Sequence, residues 1–307
     1  VAAYQELYRR GELAQRAAKA GEILSDCRFC PQLCGADRLR GDTGKCHTAS
    51  EALVSSYGPH FGEESPLVGS KGSGTIFLAN CNLSCVFCQN YHISQMGQGQ
   101  TVSSDEITRM MLALQRMGCH NINLVTPTHV VPQILGALNA AAGLGLSIPI
   151  VYNCGGYESV ETLRLLEGVI DIYMPDMKYS DRENGGRYSG VEDYPEVNRA
   201  SVKEMHRQVG DLQIDERGVA TRGLLVRHLV LPNGIAGTEE VVRFLAEEIS
   251  PDTYLNVMSQ YHPSHRAHDF PELSRALNQD EYIEAVRIAR RYGMERLDGV
   301  GARSVSM

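Results

Sequence analysis

Thr75-Ile76-Phe77-Leu78-Ala79-Asn80 runs directly into Cys81-Asn82-Leu83-Ser84-Cys85-Val86-Phe87-Cys88. The apolar, partly β-branched first part predicts a buried strand. The second part places three cysteines on one short loop at the end of that strand. Such a loop can turn three thiolates onto one metal centre but has no fourth to give. Structural zinc sites close on four ligands, and cubane iron–sulfur clusters normally take four thiolates. Three ligands with the fourth withheld imply an iron left open to something other than protein. The alternative is three buried thiols packed as small hydrophobes, and three on one loop would be an odd way to fill a core.

Outward from this loop a rhythm sets in: a short apolar run, a polar or glycine-bearing loop, then a helical segment. Strands are expected at 75–80, 121–125, 148–152, 170–174, 224–231 and 254–258. Helices are expected at 104–117, 131–142, 159–166, 196–209, 238–248 and 279–292, with Ser104 and Thr238 as N-caps ahead of first-turn acids. Aliphatic strands alternating with helices predict a parallel α/β sheet with right-handed crossovers. Six repeats fit a partial barrel or a doubly wound sheet, and periodicity does not choose between them; a full eight-unit barrel takes roughly 250 residues. In either architecture the site lies at the C-terminal ends of the strands. Those ends carry Cys81–Cys88, Thr126-Pro127-Thr128-His129, Asn153-Cys154-Gly155-Gly156-Tyr157, Pro175-Asp176-Met177-Lys178, Pro232-Asn233-Gly234 and Ser259-Gln260-Tyr261-His262. A pocket around the three-cysteine loop is the economical reading.

Upstream, residues 2–23 read as a helix with a narrow apolar face, interrupted by Gly11. Cys27-x2-Cys30-x3-Cys34-x11-Cys46 then supplies four thiolates in a stretch too poor in apolar residues to form its own core, so a metal is expected to replace one. A closed four-sulfur set fits zinc or a second iron–sulfur cluster by ligand softness, with His47 as a substitute ligand. Residues 58–60 and 69–74 read as loop. The latter is no phosphate loop, because it lacks the Gly-Lys-Ser/Thr ending and precedes a strand. The expected division is 1–70, a helical and cysteine-rich metal-binding segment, and 71–307, the α/β core with a C-terminal extension.

Bulk properties exclude several classes. The 307 residues carry a net charge of −8 and no basic block, so nothing electrostatic supports a nucleic-acid partner. No apolar run approaches the ~20 residues of a membrane span, and residues 1–6 are too polar for an export signal. Nine cysteines without such a signal point to metal or redox chemistry in a reducing, cytoplasmic setting rather than a disulfide scaffold. Cys119 and Cys154 stand alone and default to the core.

Cys81-x3-Cys85-x2-Cys88, with Phe87 before the last cysteine and a strand before the first, resembles the radical S-adenosylmethionine (SAM) superfamily. Gly118–His129, Tyr152–Tyr157, Asp171–Tyr179 and His228–Gly234 resemble its pyruvate formate-lyase activating enzyme-like branch, over about residues 70–265. The Cys27–Cys46 segment resembles one that precedes the core in uncharacterised relatives. The resemblance implies a partial (β/α)6 TIM-like barrel holding a [4Fe-4S] cluster on Cys81, Cys85 and Cys88, with SAM chelating the fourth iron. Reductive cleavage of SAM would give a 5′-deoxyadenosyl radical that takes hydrogen from a substrate. Phe87 resembles the position whose backbone touches the adenine. Thr126 and Thr128 stand where the branch usually has a Gly-Gly-Glu loop for the SAM amino group. Asp176 and Lys178 match an Asp-x-Lys whose lysine pairs with the methionine carboxylate, Asn153 matches a polar contact to SAM or a nearby cation, and His262 falls where a histidine can reach SAM. His129 caps the following helix or faces substrate. The implied electron donor is a flavodoxin or ferredoxin. The acceptor is a glycyl radical enzyme or, alternatively, a peptide, a protein side chain or a small molecule. A reading from another class is a non-catalytic, metal-stabilised binding protein.

Overall fold

The computed structural model describes residues 2–299. Helices α1 (Tyr4–Arg9) and α2 (Glu12–Ile23) open the chain. They part at Gly11, whose φ of 74° lies in the left-handed region that glycine enters without penalty. After the irregular cysteine segment come β1 (Ala52–His60), α3 (Ser65–Val68), β2 (Ser73–Leu78), α4 (Tyr91–Ser94) and β3 (Gln100–Val102). Then follow α5 (Ser104–Arg116), β4 (Ile122–Val125), α6 (Val131–Gly143), β5 (Ile150–Cys154), α7 (Val160–Leu165), β6 (Ile172–Pro175), α8 (Arg182–Ser189) and α9 (Tyr194–Val209). The chain continues through β7 (Gln213–Ile214), β8 (Ala220–Leu229), α10 (Thr238–Phe244), β9 (Tyr254–Met258) and α11 (Gln279–Arg291).

All six expected strands are present, and they pair in chain order: β2, β4, β5, β6, β8 and β9, each parallel to the next. A doubly wound sheet reverses its order at a switch point. This one never does, so the architecture is a partial barrel. It stays open, because β9 forms one edge and β3 the other among the described residues. Residues 58–60, expected as loop, belong to β1, which pairs antiparallel with β2. Pro59 is tolerated there because β3 pairs only with residues 52–54, leaving the rest of β1 with a free edge. Two caps also move. Ser103, not Ser104, makes the capping box with Glu106, and Gly237 in the left-handed region precedes α10 while Thr238 turns its hydroxyl to His228, 2.9 Å away.

Alternate strand residues divide between two layers. Outward-facing Ile76, Leu124, Ile150, Tyr152, Val226 and Leu255 pack beneath the helices with Met111, Ile134, Leu163 and Val242. Inward-facing Val151, Ile172, Met174 and Leu225 close around Leu67 of α3, which plugs the floor with no exposed surface. Burying that side chain contributes about 2–3 kcal/mol. The barrel's seam is fastened by side chains instead of a ladder. Asn256 on β9 donates to Glu64 Oε1 (3.0 Å), and Asp298 accepts from Ser65 Oγ and Tyr254 OH, both at 2.7 Å. The N-terminal residues share the barrel's core: Tyr4, Leu13, Cys27 and Phe29 belong to the outer apolar layer. No helix among the described residues is long and apolar enough to cross a membrane.

Candidate functional site

A cavity of about 470 Å³ opens at the C-terminal ends of the parallel strands. Cys81, Cys85 and Cys88 line it together with Phe87, Thr126, Asn153, Asp176 and Lys178, so eight of the residues singled out from the sequence share one cavity. A wider groove of about 1190 Å³ between α2 and α7 holds none of them and is lined mainly by charged side chains.

The cysteine loop is pinned by the segment after β6. Ser84 N and Val86 N donate to the carbonyls of Ser189 and Tyr188 at the end of α8, at 3.1 and 2.8 Å. Each sulfur has a polar neighbour: Leu83 N at 3.4 Å from Cys81, Ser189 Oγ at 2.9 Å from Cys85, and Ser94 Oγ at 3.1 Å from Cys88. Burial pushes the Cys81 and Cys85 thiols up, while the Lys178 ammonium pulls both back. Metal-free thiols are therefore neutral here, and a bound metal would draw off their protons. The Phe87 ring is buried edge-on against Tyr261 (5.9 Å) and Tyr179 (6.3 Å).

Opposite the sulfurs lies a charged network. Asp176 accepts from Lys178 Nζ (2.5 Å) and Arg227 Nε (2.8 Å), and Arg227 also donates to Asn153 Oδ1 (2.7 Å). Burial raises the Asp176 carboxyl, but Arg227 and Lys178 outweigh it and hold the group below its usual range. Burial disfavours the Lys178 ammonium, yet Asp176 more than restores it. Lys178 keeps two N–H donors beyond the one spent on Asp176. Thr126 sits in the wall at φ 61°, a strained conformation for a β-branched residue, with its N–H on the Asn153 carbonyl at 2.8 Å.

Three expected positions lie elsewhere. Thr128 is fully buried behind the wall, donating to Glu158 at 2.7 Å. His262 is exposed and outside the cavity lining, with its Nδ1 3.3 Å from Gln89 and 3.2 Å from the Gln260 carbonyl, two residues that do line it. His129 neither caps a helix nor faces the cavity. It is buried, its Nε2–H donates to the Ala79 carbonyl (2.8 Å), and burial lowers its pKa to about 4. Other functional residues escaped sequence reasoning. Arg227 hides within an apolar strand, where its signal is a charge at the inward parity of Leu225 and Leu229. Glu63 lies between the two stretches that read as loop, in a segment without a motif, yet it too lines the cavity. Glu158, buried and held near pKa 7 by desolvation against its hydrogen bonds, accepts from Thr128 and Tyr152.

The four upstream cysteines form a small lobe beside the loop. Cys27, Cys30 and Cys46 are buried and Cys34 is exposed. A Cβ at Gly44 would overlap the Cys34 sulfur, so glycine is what lets the two strands of this lobe close. Arg38 is fully buried, donates to the carbonyls of Ala49 and His129, and lies 3.7 Å from Cys27 Sγ. No carboxylate pairs with it among the described residues. The lobe grips the three-cysteine loop on both sides of Cys81: Gln32 donates to Asn82 O (2.8 Å), and Asn80 donates to His47 O (3.2 Å) and Thr48 Oγ1 (2.9 Å). Cys119 and Cys154 are buried, as expected.

Among the described residues no three His, Cys, Asp or Glu side chains converge closely enough to ligate a single metal ion. A cubane cluster makes a different demand, because each thiolate binds a different iron. Three hydrogen-bonded sulfurs around one cavity, with a cation nearby and no fourth protein ligand, fit a cluster that leaves one iron free.

A parallel partial barrel with this sulfur-lined mouth defines a cofactor-dependent α/β enzyme class. The sequence matches the family model of the radical SAM superfamily over residues 75–214. It is 32% identical over 285 residues, 90% of this chain and 78% of the relative, to an uncharacterized protein of Methanocaldococcus jannaschii. The chain belongs to the radical SAM superfamily. Among solved structures, SuiB from Streptococcus suis bound to S-adenosylmethionine is 13% identical, with a TM-score of 0.49 over 72% of this chain and 47% of SuiB. A second SuiB structure gives a TM-score of 0.45 over 69% and 43%. The chain thus aligns with less than half of SuiB.

Proposed function

We propose that this chain reductively cleaves SAM and directs the resulting radical to a C–H bond of a second substrate. The observation that carries this reading is the shared cavity of Cys81, Cys85 and Cys88 with the Asp176–Lys178–Arg227 network. A [4Fe-4S] cluster, when bound, supplies the electron that splits the sulfonium into methionine and a 5′-deoxyadenosyl radical. The three cysteines would hold it. Lys178, kept charged by Asp176, offers two free donors to the SAM carboxylate; Arg227 fixes Asp176 and Asn153; Phe87 and its tyrosine neighbours keep water from that side. Hydrogen removed from the substrate carbon ends on the 5′ carbon of deoxyadenosine. The test is anaerobic reconstitution with iron and sulfide followed by dithionite and SAM. A brown, cluster-bearing protein that forms no 5′-deoxyadenosine refutes the proposal.

The upstream lobe is proposed as a second iron–sulfur site on Cys27, Cys30, Cys34 and Cys46; the zinc alternative needs sulfurs converging on one ion, which the described residues do not provide. The support is Arg38: a buried guanidinium without a carboxylate is costly unless an anion faces it, and a metal bound by four thiolates is such an anion. Iron and zinc analysis of anaerobically purified Cys30→Ala protein tests this; unchanged metal content refutes it. Activation of a glycyl radical enzyme is the narrower form of the proposal, read out as an organic radical signal on a candidate partner. Flavodoxin or ferredoxin is the proposed electron donor, tested by substituting each for dithionite.

A further inference from the structure

The cavity's remaining wall comes from the segment between β1 and α3, and its charges do not balance. Glu63 lines the cavity with a side chain only 8% exposed. His60 Nδ1 lies 3.4 Å from its Oε1 but without hydrogen-bond geometry. Glu64, 5% exposed, spends Oε1 on Asn256, while its Oε2 is buried without a partner. Asn123, with no exposed surface, lies against the Glu63 carboxyl and helps hold its pKa down, although neither amide atom meets full hydrogen-bond geometry and its Oδ1 is left without a donor. The neighbouring cations are already engaged. Lys178 and Arg227 both sit on Asp176, and Arg227 comes no nearer than 4.0 Å to Glu64. Arg227 and His60 only partly offset the burial that raises the Glu63 carboxyl, so this cavity-facing group is left short of positive charge beside unpaired buried acceptors. Native proteins leave such groups unpaired only where something else satisfies them.

What satisfies a carboxylate that faces the cavity with unpaired acceptors packed behind it is a positive group with several N–H donors. We propose that Glu63, backed by Glu64 and Asn123, forms the substrate end of the cavity and takes a cationic nitrogen, an alkylammonium or guanidinium, of the molecule that loses hydrogen. This rests on the proposed SAM chemistry but concerns a different part of the wall. The Asp176–Lys178–Arg227 network serves the cofactor end; the β1–α3 segment, which fastens the barrel's seam, serves the substrate end.

The test is calorimetric titration of the reconstituted protein with SAM present. The probes are pentylammonium chloride, butylguanidinium chloride and neutral hexanol, then a lysine-centred pentapeptide and its norleucine counterpart. Cationic probes are expected to bind at least tenfold more tightly than their neutral partners, and Glu63→Gln or Glu64→Gln to remove most of that preference. A preference larger for the peptide pair assigns a peptide substrate; a preference confined to the free amines assigns a small molecule. Equal binding of charged and neutral probes to the wild-type protein overturns the inference without relying on any variant. So does displacement of the amines by equimolar potassium chloride, which would mean an inorganic cation site. SAM is titrated into the same variants: if its affinity falls in step with the amine's, the carboxylates serve SAM instead and the substrate assignment is lost. Failure of the SAM chemistry itself shows separately, as absence of 5′-deoxyadenosine from wild-type protein.

Discussion

Arg227→Met isolates what the buried charge network contributes. Methionine fills the same channel with an unbranched apolar chain but removes the guanidinium that bonds Asp176 at 2.8 Å and Asn153 at 2.7 Å. At a charge separation of about 4 Å and an effective dielectric near 20, the lost attraction to Asp176 is on the order of 4 kcal/mol. Removing one partner of a buried pair typically costs about 3–5 kcal/mol. Lys178 remains 2.5 Å from Asp176, so the expected loss is at the lower end, about 3 kcal/mol at pH 7, read by urea denaturation under anaerobic conditions. The sign of the pH dependence follows from Asp176. In the native chain its carboxyl is held below the ordinary range, so it stabilises the fold above the unfolded value of about 3.9 and stops doing so as pH falls through the native value. In the variant, burial is opposed by Lys178 alone, and the carboxyl moves up. Protonation then relieves the variant as pH is lowered, and the gap to wild type narrows between pH 7 and pH 5. A gap below 1 kcal/mol at pH 7, or one that does not change with pH, refutes this account of the network.

Cys85→Ala is expected to lose about four irons per chain and all 5′-deoxyadenosine formation; full activity with unchanged iron would remove the central assignment. Thr126→Gly relieves a left-handed β-branched residue and is expected to stabilise the protein by about 1 kcal/mol net of glycine's entropy while weakening SAM binding. Lower stability together with intact binding would contradict this. His228 is buried, with its pKa lowered to about 4 by desolvation, its Nδ1 on the Met177 carbonyl at 2.7 Å and its Nε2 on Thr238 at 2.9 Å. A base depressed in this way stabilises the fold above its unfolded pKa of about 6.5 and loses that contribution as pH falls toward 4, roughly 3 kcal/mol in all. His228→Gln should therefore flatten the acid limb of the stability profile, measured as unfolding midpoint against pH.

Features encoded by short-range pattern were legible. The six parallel strands announce themselves as aliphatic runs, and the cysteine loop by the spacing of three identical ligands. Choosing a barrel over a doubly wound sheet needed pairing order, which periodicity does not contain. β1 was hidden because Ser55-Ser56-Tyr57-Gly58-Pro59 looks like loop and becomes strand only by pairing with β2. Thr126 and Thr128 looked interchangeable, yet a short turn between them points one at the cavity and the other at Glu158. Arg227, Glu63 and Arg38 carry no motif. Their roles arise from partners far away in sequence, as for Arg227 and Asp176, 51 positions apart.

The hydrogen bonds on either side of Cys81 set the terms on which oxygen can harm this protein. Cys34 is the exposed thiol of the upstream lobe, and exposed thiols meet an oxidant first. The same lobe, through Gln32, His47 and Thr48, fastens the backbone at Asn82 and the side chain of Asn80. A lesion at the surface that springs the lobe open also frees both ends of the turn bearing Cys81, without any oxidant entering the cavity. Shielding the outer lobe would then protect the three-cysteine loop it holds, at a distance from the cavity itself.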